Sequence, residues 1–464
     1  MKLYKYILAA SVMAVSTQAM AQELNSAYFT QDYKYRHDMN PAFGNDQGYV
    51  AIPVLGNLNV RTQGNFGLGD LLFKNPTTGK YDRTFMHPDV SVDEALKGFH
   101  SGANKFNLDL RLTLVSVGFK GFGGYNTIEI NERTMMGLSL PYDFFRFAKD
   151  LSNSVYDFSD LDMHAHSFAE VAFGHSRSIN DKLRVGAKVK ALIGAGRADF
   201  TMNNVHAELL PNAQQWRITA DAKADVMMKG FKFKSKNSEF KTKPGTYEHI
   251  DDVDVDGGGV GGFGFAVDLG ATYKVLDELT VSAALTDLGF INWSEHVTAV
   301  NPNKEFIFNG FQDMSVNDDG NGDTFDDRLD EYGDQLAEFA NLRDTGEKGS
   351  KTTGVGATAR LGVEYELPMY RKMSFGFLGT RRFNGDFSWT EGRLSANWKP
   401  LKWLDGGVNV AVSDFGTSAG WILNIHPVGA NIFIGMDHIM GKQAKQGVPL
   451  KSNMNINLGM NVAF

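Results

Sequence analysis

The sequence contains no cysteine, so it can form neither disulfides nor thiolate–metal centres and cannot carry a lipid anchor on cysteine. Proline is scarce, at 12 residues in 464. No apolar run of helix-spanning length occurs beyond the first two dozen residues, which excludes a transmembrane helix in the remainder. No Gly-x-Ser-x-Gly motif is present, and together with the missing thiol this leaves no nucleophile–base pattern; the expectation is not an enzyme. The glycine-rich stretch Asp256–Gly264 lacks the Lys-Ser/Thr of a phosphate loop, and no cofactor is implied. Positive charge is also in deficit: the formal net charge is −8, which argues against nucleic acid as a partner.

Glycine (50 residues) and aromatics (12%) are plentiful, a composition that suits closely packed β-structure. At the N-terminus, Lys2 and Lys5 precede an apolar stretch, Ile7 to Val15, and then Ala19-Met20-Ala21. This reads as a signal peptide over 1–21, cut before Gln22; losing the two lysines takes the charge from −8 to −10. At the C-terminus, Met454, Ile456, Leu458, Met460, Val462 and Phe464 alternate with an asparagine-rich register, Asn453, Asn455, Asn457 and Asn461. Side chains in a strand alternate faces, so one face is apolar and the other wet. The same pattern recurs. Phe106, Leu108, Leu110, Leu112 and Leu114 oppose Asn107, Asp109, Arg111 and Thr113. Val185, Ala187, Val189 and Ala191 oppose Arg184, Lys188 and Lys190; Phe263, Phe265, Val267 and Leu269 oppose Asp268; and Val355, Ala357, Leu361 and Val363 oppose Thr358, Arg360 and Glu364.

Strands are expected near 48–62, 104–119, 125–139, 163–178, 183–195, 259–274, 279–291, 352–366, 372–382, 386–398, 403–412, 416–426, 430–440 and 451–464, an even count of fourteen. Every link after an even-numbered strand is short, and four long links (63–103, 140–162, 196–258 and 292–351) follow odd ones. Tight periplasmic turns and long extracellular loops are the asymmetry of bacterial outer-membrane barrels. The fold expected is therefore all-β, a transmembrane antiparallel β-barrel over 48–464 set in outer-membrane lipid. Trp398 and Trp403 bracket one short turn, where an interfacial aromatic belt would lie. A lumen this wide needs a plug or it conducts water, and residues 22–47, with no clean periodicity, would supply it. Within that stretch Asn40-Pro41-Ala42 is a fixed turn.

Signal peptide, an N-terminal plug carrying Asn-Pro-Ala, fourteen strands and a terminal Phe together resemble the long-chain fatty-acid transporter (FadL) family. Asp287–Trp293 (DLGFINW) and Phe173–Gly194 are more closely similar to a FadL-like outer-membrane family of Bacteroidetes, to which the barrels of type IX secretion are related. The resemblance implies that Asn40, Pro41, Ala42 and Phe43 close the hatch of a hydrophobic channel. It implies a lateral opening at an interrupted strand, for which Gly121, Gly123 and Gly124 are candidates, although the same glycines also suit a sharp periplasmic turn at 120–124. Phe464 resembles the signal by which the barrel-assembly machinery receives its substrates.

A hydrophobic ligand would need an apolar groove outside the membrane. Tyr142, Phe144, Phe145, Phe147 and Leu151, on what reads as a short loop helix, are the candidates, although the same rings would equally pack the loop down. Asn317, Asp319 and Asn321 have the spacing of a calcium loop, with Gly322 at the turn, but Arg328 stands where the twelfth-position carboxylate belongs. His164 and His166 share a strand face without an evident third metal ligand. The function expected is passive uptake of a hydrophobic or amphipathic small molecule. The alternative, favoured by the length of the two largest loops, is a barrel that docks an exported surface protein.

Overall fold

Alternation decides the architecture: a strand with one oily and one polar face is stable only between two unlike media, and closure removes its unpaired edge. The computed structural model describes residues 23–150, 155–209, 215–309, 325–438 and 453–464; the expected signal peptide lies outside them. Among the described residues, fourteen strands form the wall. They are β1 (in two pieces, Tyr49–Ala51 and Leu58–Gly64), β2 (Ala103–Gly121), β3 (Gly124–Pro141), β4 (Leu161–Ser178), β5 (Leu183–Leu209), β6 (Gly262–Lys274) and β7 (Leu279–Val300). There follow β8 (in two pieces, Arg343–Gly354 and Ala357–Glu366), β9 (Met373–Phe383), β10 (Trp389–Leu401), β11 (Leu404–Ser413), β12 (Gly416–Ile425), β13 (Ala430–Met436) and β14 (Met454–Ala463). Neighbours pair antiparallel around the ring. The last strand closes on the first, with Leu458 opposite Leu58 and Val462 opposite Val50.

The faces sort as alternation requires. Outward lie Leu361, Leu394, Val408, Val410 and Val462, all more than half exposed, and these are the side chains the bilayer covers. Asn455, Asn457 and Asn461 are buried inside. Tyr273, Tyr365, Tyr370, Trp398, Trp403 and Phe464 ring the short-turn end on the outside, and Trp398 Nε1 donates to the Tyr370 hydroxyl at 3.2 Å. Such a belt sits at a membrane–water interface.

The outer ends depart from the expected boundaries. β5 and β7 run past the bilayer, because an inserted strand, Trp216–Met228, pairs with both and keeps their backbones bonded. Residues 215–228 and 296–309 thus raise the wall on one side above the membrane. β9 and β10, by contrast, join through a short turn at 384–388. Gly121, Gly123 and Gly124 do not interrupt the wall: Gly121 pairs with Gly124 across a two-residue turn in which Phe122 and Gly123 both have positive φ, 54° and 72°, the geometry that matches strand twist in hairpins. The interruption lies in β8, at Val355-Gly356. The pairing with β7 keeps one register across the gap, but the alternation of faces shifts there, so Val355, expected outside with Leu361, is buried inside beside Trp293, Phe168 and Leu192.

Replacing Leu361, 66% exposed in the apolar band, by Arg should destabilise the barrel by about 2–4 kcal/mol. Urea unfolding in lipid vesicles measures this, and an unchanged midpoint would contradict the assignment of the outer face.

Candidate functional site

The plug is held from its tip to its base by side chains of the wet register. Its N-terminal turn, Asn25–Ala27, points two backbone amides at the Asp437 carboxylate, from Asn25 at 3.1 Å and Ser26 at 2.6 Å. Tyr33 and Tyr35 donate their hydroxyls to Asn457 (3.2 Å) and Asn461 (2.7 Å). The asparagines of the last strand are therefore acceptors for the plug's phenols. They also bond round the wall, Asn457 Nδ2 to Asn57 Oδ1 at 2.9 Å and Asn461 Nδ2 to Asn431 Oδ1 at 3.2 Å.

The Asn-Pro-Ala turn is built by its own first residue. Asn40 Oδ1 accepts from Ala42 N at 3.0 Å, and Asn40 O accepts from Phe43 N at 3.0 Å. Asn40 Nδ2 reaches the Ala283 carbonyl at 3.3 Å, and Arg184 Nε donates to the Ala42 carbonyl at 2.7 Å. Phe43 lies under the Arg36 guanidinium, 4.0 Å from ring centre to Cζ. The wall admits this turn only because it carries glycine: a Cβ on Gly186 would stand 2.0 Å from the Pro41 carbonyl oxygen, and one on Gly270 2.0 Å from Asn40 Oδ1.

Charge fills the rest of the lumen, in two groups. In the first, Lys188 Nζ lies 2.6 Å from Asp38 Oδ1 on the plug, 2.5 Å from Glu129 Oε2 and 3.3 Å from His37 Nδ1. His37, Asp38 and Glu129 are close enough to share a metal, but the Lys188 ammonium already occupies that position. Arg111 pairs with Asp38 at 3.1 Å and with Glu23 at 3.2 Å, and Arg360 with Glu23 at 2.9 Å. In the second, Arg133 holds Asp287 in a bidentate pair (2.7 and 2.9 Å) and Glu170 at 3.2 Å, while Lys190 bonds Asp287 at 2.6 Å and Asp268 at 2.8 Å. Asp287 reaches inward because its φ is +61° at a register shift opposite Asp268, whose carboxylate accepts the Asp287 amide at 2.7 Å. These ion pairs line much of the lumen around and above the plug.

Beside the second group lies a cavity of about 580 Å³. Its polar side is Asp162, His164, Arg197, Asp199, Asp225 and Asp287, and its apolar side includes Leu288, Ala357 and Phe383 at the gap in β8. Leu288 and Phe383 are about half exposed on the lipid face, so the cavity extends from the charged lumen to the outside of the wall. The turn at 384–388 covers it: Phe387 packs edge-on against His164 at 4.1 Å, and Lys105 Nζ donates to the Asp386 carbonyl.

The rings expected to line an external groove do not line one. Phe145 is buried and stacks on Phe99 with centroids 3.7 Å apart, and Phe147 packs against Tyr156 at 5.2 Å. Tyr142 joins the same cluster, and Phe144 alone among them stays well exposed. Apolar rings on a helix (Tyr142–Lys149) facing the loop that carries Phe66, Phe85 and Phe99 bury against it, because that removes more surface from water than a groove would. Leu151 and the calcium-loop residues Asn317, Asp319 and Asn321 lie outside the described residues. His164 and His166 stack at 5.7 Å and belong to neither of the metal-sized clusters among the described residues. Phe464 closes the ring through backbone bonds with Gly48, at 2.9 and 3.0 Å. Sequence reasoning placed Arg111, Lys188, Lys190, Asp268 and Arg360 on the wet register but not in pairs. It missed Arg133, Glu129, Glu170 and the role of Asp287.

Removing one partner of a buried ion group leaves the others uncompensated, typically a loss of about 3–5 kcal/mol. Lys188→Met should therefore free the plug, exposing 28–47 to protease while the barrel keeps its heat-dependent gel shift. Protection equal to wild type would show that the ion group does not hold the plug. Asp225, on the strand beyond the bilayer, gives a pH dependence. Burial alone would raise its pKa, but hydrogen bonds from Lys351 (2.8 Å), Thr298 (2.7 Å), His296 (3.0 Å) and the Lys223 ammonium hold it below the ordinary carboxylate value. A depressed folded-state pKa contributes stability that is complete above the unfolded value of about 3.9 and is lost as pH falls below it. Cleavage by pepsin within 215–228 should accordingly appear below about pH 4 and be enhanced in Asp225→Asn, whereas cleavage indifferent to that substitution would exclude the contribution.

Residues 41–437 match a family described as "Family of unknown function (DUF5723)". No curated protein matches the chain. Among solved structures, the Ralstonia pickettii toluene transporter TbuX is 10% identical, with 96% of this chain and 94% of that chain covered and a TM-score of 0.41. The Pseudomonas putida toluene transporter TodX is 11% identical, with 96% and 95% covered and a TM-score of 0.39. A Pseudomonas aeruginosa FadL homologue is 9% identical, with 96% and 98% covered and a TM-score of 0.38. The family match runs from Pro41 of the plug turn to Asp437, which holds the plug's tip, and so takes in the wall from β1 to β13: the chain belongs to this family of unknown function.

Proposed function

We propose that the protein is an outer-membrane channel for passive uptake of amphipathic small molecules whose polar head is neutral or cationic. The observation that carries this reading is the cavity joining the charged lumen to a gap in the wall, polar at one end and apolar at the other. An amphiphile would place its tail beside Leu288 and Phe383 and its head among the carboxylates. Asp225 and Asp287 are already paired with lysines and arginine. Asp162, Asp199 and Asp386 face only one arginine in the lining, Arg197, so the residual charge is negative and repels an anionic head. The plug turn at Asn40–Phe43 closes the far end in this reading, and passage requires it to yield. The rival reading, a docking barrel for exported proteins, gains nothing comparable. The large outer segments close on one another: Phe231–Glu239 pairs with Thr246–Val255, and Lys241 and Thr242 bind Asp330 and Asp334 of the helix Phe325–Ala340.

Equilibrium dialysis of radiolabelled octylamine and octanoate against the protein in lipid nanodiscs, with empty discs subtracted, tests the reading. Octylamine should bind saturably, at least tenfold tighter than octanoate, and Leu288→Trp, which fills the gap, should weaken it at least tenfold. No saturable excess of either probe over empty discs would overturn the proposal.

A further inference from the structure

At the short-turn end of the lumen, a second group of side chains bridges plug and wall. Asp32 belongs to the plug, Asp405 opens β11, and His426 follows β12. His426 Nε2 stands 3.4 Å from Asp405 Oδ1 and 3.6 Å from Asp32 Oδ2. We propose that these three residues form a site for a divalent first-row transition-metal ion that latches the plug to the barrel.

Geometry supports the assignment first. An ion bound to nitrogen and oxygen at about 2.1 Å in a tetrahedral site spaces its ligand atoms by about 3.4 Å. The observed separations match such edges, and they exceed hydrogen-bond length. The imidazole is the second observation. Its side chain is 5% exposed, yet Nε2 has no hydrogen-bond partner and points between the two carboxylates. A buried polar atom without a partner is costly, and an ion would supply that partner.

The surroundings orient the ligands as metal sites require. Asn424 Nδ2 donates to Asp405 Oδ1 at 2.6 Å and is itself braced by Asn431 at 2.6 Å. The Asp32 amide donates to Asp405 Oδ2 at 3.2 Å, and the His426 amide to the Trp403 carbonyl at 2.8 Å. Asp32 is 22% exposed, so the fourth coordination position is open to water. In the His37–Asp38–Glu129 group a fully buried Lys188 ammonium contacts all three members. Here the cation in contact is Lys399, partly exposed, which touches Asp32 and can swing away; Lys34 and Arg36 of the plug also lie near the two carboxylates but bond elsewhere, to Gln47 and to the Tyr28 carbonyl. One imidazole with two carboxylates suits Zn²⁺ and its neighbours better than Ca²⁺ or Mg²⁺, which take oxygen ligands.

The site is independent of the uptake reading, and its test uses the full chain, stripped with chelator, in detergent micelles. Calorimetric titration with Zn²⁺ should give one saturable site. His426→Ala and Asp405→Asn should each weaken it at least tenfold, and Lys399→Met should tighten it. Because a wall substitution could impair folding, Asp32→Asn on the plug serves as the second variant, with the heat-dependent gel shift confirming the barrel. Zn²⁺ should also slow hydrogen exchange of the amides flanking Asp32 in wild type and not in Asp32→Asn. Binding that survives all three ligand substitutions, absence of binding, or unchanged exchange overturns the proposal.

Discussion

Charge neutrality inside a wide barrel is the constraint on which the rest of this structure depends. In the ion group around Lys188 and Arg111, the wall contributes three buried cations, Arg111, Lys188 and Arg360, and one carboxylate, Glu129, an excess of two positive charges. The plug contributes Glu23 and Asp38, which balance it. Ions shielded from water are tolerated only when paired and hydrogen-bonded, so the plug is an electrostatic member of the wall as much as a stopper. The same requirement explains why its turn is seated so closely. Gly186 and Gly270 let the Asn-Pro-Ala backbone approach the strands, and Arg184 and Asn40 then satisfy carbonyls that the contact would otherwise strand.

A second consequence concerns where the wall opens. Asp287 must turn inward to meet Arg133 and Lys190, and a positive φ at a register shift lets it do so. The neighbouring strand answers with its own irregularity at Val355-Gly356, where Gly356 has φ +83°. One residue thus serves both the ion group and the cavity lining. The gap in the wall is a by-product of directing a carboxylate into the lumen, and its place beside acidic side chains gives the cavity its chemical character.

Much of this was legible in the sequence, for a simple reason. Period-two alternation records the two media on either side of a strand, and the spacing of the strands records which end carries the long links. Register alone placed Lys188, Lys190, Asp268 and Arg360 inside, and the asparagines of β14 with them. Glycine was harder to read: it serves a hairpin turn, a bulge or a close backbone approach equally well. Gly121–Gly124 reads equally as a wall break or a tight turn and is the turn, while the close approach at Gly186 and Gly270 leaves no mark in the local sequence. Aromatic residues carried the same ambiguity, and Phe145 went to the packed side of it.

By itself the sequence determined the membrane-facing and lumen-facing registers, the strand count, the polarity of the barrel and the stretch available to fill it. These follow from local periodicity and chain order, which no distant contact can alter. Tertiary structure decided which inward charges meet, since Asp38 and Lys188, or Arg133 and Asp287, are brought together only when the ring closes at its final stagger. It also decided the place of the wall gap, because that depends on irregularities of neighbouring strands, at Asp287 and at Val355-Gly356, falling side by side.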